Sequence, residues 1–190
     1  MSLEHIMLGM LRRPASGYDL RKQFEEGPRH FWAARLSQIY PTLQRMERSR
    51  WLTSTTTPSP RGPQRRVYRR TAEGTRVLRR WLAGGAEVGA ERLAWVGQLI
   101  FFGELRDPRR TLRFLRELRR TFASGLDLLE SAEHHLRRVD RRSPARWDHD
   151  AFHEFLCIRM GVRVRRARLR ACDEAIALTS SRLRRGRDET

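Results

Sequence analysis

His149 and His153 stand four residues apart beside Asp148, Asp150 and Glu154, and on a helical turn both imidazoles face one way, as metal ligands do. Two such ligands do not close a site, and a polar helix start capped by Asp148 or Asp150 accounts for the same residues. Cys157 and Cys172 have no close-spaced Cys or His partner of zinc-site type and read as reduced core thiols. The chain holds no GxxxxGK[ST] phosphate loop, no GxSxG elbow and no dinucleotide fingerprint after a strand. No enzyme, metal or cofactor is therefore expected.

A second group of residues suits nucleic acid. Ser37 and Gln38 can donate to phosphate or base edges, Gln44 can pair with adenine, and Arg45 and Arg48 can reach guanine or phosphate. Arg61, Arg65 and Arg66 add positive charge a short way downstream. Any one of these arginines, taken alone, is as well explained as a solvated surface charge. Their joint placement on one helix face and one hairpin is what gives them meaning.

The elements that must position them can be read from apolar spacing. Ile6, Leu8, Met10 and Leu11 form a short helix that stops near Pro14, and Ser16 offers an N-cap for a second helix through Phe24. Leu36, Ile39, Leu43 and Met46 put one face of a third helix on a core. Ser37, Pro41, Gln44, Arg45 and Arg48 fall on its other face, and Pro41 places the helix start near Ser37. Leu52 to Thr57 is Thr-rich and β-prone, Pro58 to Gln64 is a turn, and Arg65 to Arg70 alternates again around Val67 and Tyr68, which makes a hairpin with a basic tip. Thr71 caps a fourth helix, Ala72 to Leu82, which Gly84 and Gly85 interrupt.

Helices alone are expected beyond that point, over Glu91 to Leu105, about Pro108 to Val139, and about Asp150 to Leu183. Leu115, Phe122, Leu129 and Leu136 recur every seven residues in the second, as do Phe155, Val162, Leu169, Ile176 and Leu183 in the third. Such recurrence argues helix-on-helix packing, either within a three-helix bundle or across a dimer seam. The organisation expected is an N-terminal domain over 1–83, a linker over 84–90 and an all-α domain over 91–190.

The 190 residues carry a formal net charge of +18, with 39% hydrophobic and 33% charged residues. That balance suits a folded, soluble chain with affinity for polyanions, be they DNA, RNA, acidic lipid or acidic protein. Lys22 is the only lysine, so arginine carries almost all of the positive charge. No apolar run is long enough to cross a bilayer, and the first eleven residues lack signal-peptide pattern, so no membrane partner and a cytoplasmic location are expected.

Helix, helix, helix, basic hairpin is the order of a winged helix-turn-helix, in which the third helix enters the major groove and the wing follows the backbone or minor groove. The stretch from Leu8 to Leu82 resembles the DNA-binding domain of the PadR-like transcription regulators. The resemblance is carried by LGMLRRPASGYDL from Leu8, FWAARLSQIYPTLQRME from Phe31, and RRVYRRTAEGTRVLRRWL from Arg65. QLIFFGEL from Gln98 and the block from Phe152 to Ala177 resemble, more loosely, the helical C-terminal domain of the longer subfamily. The fold class expected is thus mostly α, with a winged N-terminal domain and a helical dimerisation domain.

What the resemblance implies is a homodimer joined largely by the C-terminal helices, usually a repressor, released by a small molecule or another signal; the symmetry of such a dimer matches an inverted-repeat operator. The family's DNA-contacting positions fall on Tyr18, Ser37, Gln38, Tyr40, Pro41 and the wing arginines, and Lys22 joins the candidate set on the second helix. Phe155, Val162, Leu169, Ile176 and Leu183 are the expected dimer residues. A small aromatic effector is expected against Trp32, Trp95, Phe102, Phe152 and Phe155, with His153 or Arg159 meeting a carboxylate. Two departures from the family stand out: Arg50, where a turn glycine is frequent, and Arg70, where an apolar residue is common. The rival reading is a basic protein-interaction or RNA-binding module, against which the wing and recognition helix favour duplex DNA.

Overall fold

The computed structural model describes residues 3–26, 36–59, 62–87, 89 and 93–188, and the chain divides into two compact units, Met1–Ala90 and Glu91–Thr190. The first unit runs α1 (Leu3–Met10), β1 (Ala15–Ser16), α2 (Gly17–Glu26), a 3-10 turn (Leu36–Gln38), α3 (Ile39–Arg48), β2 (Leu52–Ser59), β3 (Gly62–Arg70) and α4 (Ala72–Ala83). Met7, Leu8, Leu20, Ile39, Leu43, Met46 and Leu52 are fully buried, so three helices and the first wing strand share one core. Each such side chain withdrawn from water contributes roughly 1.5–3 kcal/mol.

Local chemistry fixes the joints. The Ser16 hydroxyl accepts from the Asp19 backbone N–H at 3.2 Å while the Asp19 carboxylate accepts from the Ser16 N–H at 2.9 Å, a reciprocal cap that starts α2. Ala15 and Ser16 also pair antiparallel with Tyr68 and Val67, a two-residue strand too short to announce itself by alternation. The sheet order is therefore β1-β3-β2. The wing strands reach Ser59 and Gly62, with an irregularity between Thr57 and Ser59, so the turn is tighter than the 58–64 expected from its Pro and Gly content.

Arg50 does not reshape the turn that follows α3. It adopts the left-handed conformation a glycine would take, at φ 61°, with Arg50 N–H donating to Glu47 and Trp51 N–H donating to Met46, both at 2.9 Å. That double bond pattern satisfies the last carbonyls of α3. Arg70 keeps its charge in a half-buried position by donating to the Leu8 carbonyl near the end of α1 at 2.7 Å. Burial, with Arg12 and Arg79 nearby, pulls its guanidinium below its ordinary range. Thr71 caps α4 by accepting from Gly74 N–H at 3.0 Å, and a Cβ on Gly74 would collide with the Trp51 carbonyl.

In the second unit α5 covers only Ala94–Ile100, and Phe101–Leu105 tightens to a 3-10 turn that ends in left-handed Arg106. The single α-helix expected over 91–105 is corrected accordingly; Glu91 lies outside the described residues. α6 (Pro108–Val139) and α7 (His149–Asp188) form a long hairpin. Asp107 caps α6, accepting from Arg109 N–H at 2.9 Å. Ion pairs Arg119–Asp173, Arg166–Glu130 and Arg159–Glu133 bridge the two antiparallel helices. Leu115, Phe122 and Leu129 of α6 are buried, as are Phe155, Val162 and Cys172 of α7. At the bend, Trp147 donates through Nε1 to the Arg142 carbonyl at 3.0 Å and meets Phe155 edge-on. No described helix is long and apolar enough to cross a membrane.

Candidate nucleic-acid interface

Residues of an α-helix turn by about 100° each, so burial of Ile39, Thr42, Leu43 and Met46 decides which side chains of α3 look outward. Pro41, Gln44 and Arg48 lie opposite the core, with Ser37 one turn earlier. Tyr40 and Glu47 flank them on one side, Gln38 and Arg45 on the other. Ser37, Gln38, Tyr40, Pro41, Gln44, Arg45 and Arg48 are all exposed, as are Tyr18 and Lys22 on α2. Ser37, Gln38, Pro41, Thr42 and Arg45 line a shallow hollow of about 330 Å³ with Leu3. Gly17 permits the approach of α2, since a Cβ there would stand 2.5 Å from the Tyr40 ring.

The arginines of the site are held by carboxylates that sequence reasoning passed over. Arg66 donates through Nη2 to Glu47 at 2.6 Å and through Nε to Ser54 Oγ at 2.8 Å, while Ser54 donates to Glu47 at 2.6 Å. This closed triangle joins α3, β2 and β3. The Ser54 hydrogen bond first, and Arg66 next, hold the Glu47 carboxyl below its ordinary value, while the bond to Glu47 pushes Arg66 up.

Arg65, on the other face of β3, pairs with Asp19. Burial opposes the Asp19 charge, yet bonds from the Ser16 backbone and hydroxyl and from Arg65 leave its carboxyl below the ordinary value. Side chains of Arg65 and Arg66 remain 52% and 50% exposed, so each guanidinium can meet a phosphate on its outer edge. Arg45 donates to Glu4 of α1 at 2.8 Å and to Thr42 Oγ1 at 3.0 Å, which makes it the tethered flank of α3 and leaves Gln44 and Arg48 at the centre. The Ser16–Asp19 spacing was the one available sequence signal for these partners. Glu4, Glu47 and Ser54 had none, because their contacts span 7 to 41 residues. Arg61 lies outside the described residues.

The expected effector residues are not brought together within the second unit. Trp95 meets Phe122 edge-on, Phe102 packs on Phe114, and Phe155 sits with Trp147 under the guanidinium groups of Arg137 and Arg159. Arg168, which lies over Phe122, is thirteen residues from Phe155 on α7, about 20 Å along a helix. Three separate ring contacts therefore replace one aromatic wall, and Trp32 lies outside the described residues. Phe152 contacts the His153 ring, and His153 Nδ1 donates to the His149 carbonyl at 2.5 Å. No group of three metal-ligating side chains occurs among the described residues.

Phe155 and Val162, expected at a dimer seam, are already buried within the single chain against α6. Leu169, Ile176 and Leu183 are half-buried on the same side. A different stripe is open: Leu156, Met160, Val164 and Leu178 are exposed on the outer face of α7, with Ala167 and Ala171 between them. Cys157 is exposed, which corrects its reading as a core thiol, while Cys172 is buried and its thiol is pushed up by burial.

Residues 7–80 match the family model of the transcriptional regulator PadR-like family, and residues 100–180 match that of the virulence activator alpha C-terminal region. The chain is 36% identical over 84 residues to the probable transcriptional regulator Rv1176c of Mycobacterium tuberculosis, covering 44% of each chain. It is also 36% identical over 81 residues to the negative transcriptional regulator PadR of Bacillus subtilis, covering 42% of this chain and 44% of that one. These alignments span less than half the length of either relative. Two crystal structures of Bacillus subtilis PadR share the fold. The one in complex with operator DNA has TM-score 0.79 at 21% identity, covering 93% of this chain and 96% of that one. The one with p-coumaric acid has TM-score 0.74 at 19% identity, covering 94% and 98%.

Proposed function

We propose that the chain is a PadR-like transcriptional regulator, a cytoplasmic repressor that holds an inverted-repeat operator as a homodimer. The observation that carries this reading is the outward face of α3, where Ser37, Pro41, Gln44 and Arg48 stand free of the core beside a wing whose Arg65 and Arg66 are already oriented. Such a face supplies donors and acceptors for base edges, and the wing supplies phosphate contacts. The dimer draws its support from the exposed apolar stripe on α7, since a two-fold partner can cover Leu156, Met160 and Val164.

Release by a small aromatic acid belongs to the same reading. Bacillus subtilis PadR is solved with p-coumaric acid, and of the aromatic residues expected to seat an effector, Phe102 lines a hollow here. That hollow, of about 460 Å³, also has Phe114 for a flat ring and Arg110, which Asp107 already pairs, for a carboxylate, and Glu117 lines it as well. A ligand there must favour the DNA-free state, and about 1.4 kcal/mol of preference changes operator affinity tenfold.

Protection mapping of the DNA upstream of the chain's own coding sequence tests the function. Two protected half-sites in inverted order, roughly 10 bp or a multiple between centres, are expected. Uniform protection without half-sites, or displacement by bulk RNA at equal nucleotide concentration, overturns it.

A further inference from the structure

Several arginines of the α6–α7 hairpin are paired with carboxylates, as at Arg110–Asp107, Arg119–Asp173, Arg137–Glu133 and Arg166–Glu130, and others, Arg163 and Arg170 among them, are exposed without an ion pair among the described residues. One unpaired set runs as a continuous stripe. Arg109, Arg113, Arg116 and Arg120 follow one another at three- and four-residue spacing on one stripe of α6, and all are exposed. None of the four guanidinium groups makes an ion pair or hydrogen bond among the described residues. With Leu112 and Arg119 they line an open hollow of about 580 Å³. Like charges at these spacings repel and disfavour the helix that carries them. The nearest acid on the segment, Glu117, stands four residues after Arg113 and three before Arg120, yet it lines the neighbouring hollow with Phe102 and pairs with neither arginine among the described residues.

We propose that these four arginines form a second, sequence-independent phosphate-binding surface for duplex DNA, separate from α3 and the wing. A single anion would satisfy one or two guanidinium groups, whereas a run of four matches a ligand with repeated charges. The stripe spans twelve residues, about 16 Å along the helix, over which a duplex presents one phosphate charge per about 1.7 Å. Guanidinium forks suit phosphate oxygens, and the stripe offers no amide or carboxylate to read a base edge. The surface therefore adds affinity without preference. The choice of DNA among polyanions rests on the proposed function; the existence of an anion surface does not.

The test uses the full chain with all four residues changed to Gln, on a long random-sequence duplex, with affinity measured against salt. At roughly 0.9 per phosphate contact, the salt slope should fall by about 3.6, and the pairs R109Q/R113Q and R116Q/R120Q should each lose about half of that. A charge-matched variant, R163Q/R170Q/R182Q/R185Q on α7, should lose far less. Operator preference over random sequence should stay as in the unaltered chain, so a failed operator assay and a failed stripe are read separately. An unchanged slope, or an equal loss in the charge-matched variant, overturns the proposal. So does a stripe variant that loses binding to polyglutamate but not to DNA, which would assign the surface to an acidic protein.

Discussion

Arg50 shows how a residue other than glycine can hold the left-handed turn that ends α3. Its left-handed backbone costs an L residue about 1–2 kcal/mol, part of which a glycine returns as unfolded-state entropy. Arg50→Gly should therefore stabilise the chain by roughly 0.5–1 kcal/mol, read as a higher urea midpoint at unchanged slope. Glu47 allows a second test. Its carboxyl sits below its ordinary value of 4.5 in the folded chain, so the stability it contributes is present above that value and disappears as pH falls through the folded one. Glu47→Gln should be less stable than the unaltered chain at neutral pH, by no more than about 1 kcal/mol for a pair half open to water, and equal to it in acid. A difference that stays constant across the carboxylate range would mean that Arg66 does not depend on the Glu47 charge.

At the scale of elements, α3 and the wing divide the labour of recognition. Gln44→Ala should cost about 1–3 kcal/mol on the operator and relax preference at one base pair. Arg65→Ala should weaken operator and random duplex alike and lower the salt slope by about 1. If Gln44→Ala weakens every sequence equally, the centre of α3 does not read bases. Elements of this kind were legible because each is written locally. Ile39, Leu43 and Met46 give α3 its buried face, Thr71 marks α4, and the ends of α6 fall at Pro108 and Val139 as the spacing predicts. β1 was not legible, since two residues hold no alternation and their pairing depends on Val67 and Tyr68, some fifty positions away. Carboxylate partners of the site were hidden for the same reason: Glu4 meets Arg45 only after α1 folds onto α3. The heptads were visible, but a sevenfold repeat has no label saying whether its partner helix is in the same chain. Phe155 and Val162 turned out to face α6.

For the whole molecule, that assignment moves the dimer reading to the opposite face of α7. Leu156, Met160, Val164 and Leu178 repeat along a helix whose other side is already occupied, and Met160 and Leu178 are 70% and 73% exposed. Near a two-fold axis a residue meets its own copy, so a charge placed at Met160 meets an identical charge on the partner. Met160→Lys should convert the chain to monomers at micromolar concentration by sedimentation, with helical content unchanged because the α6–α7 seam is untouched. Binding to the full inverted repeat should then fall by about 10²-fold or more, the loss expected when two linked half-site contacts become independent. Affinity for an isolated half-site should hold, since neither α3 nor the wing is altered. A Met160→Lys chain that still sediments as a dimer and binds the full operator undiminished would exclude this face from the interface. The half-buried side chains of Leu169, Ile176 and Leu183 would then be the next to test.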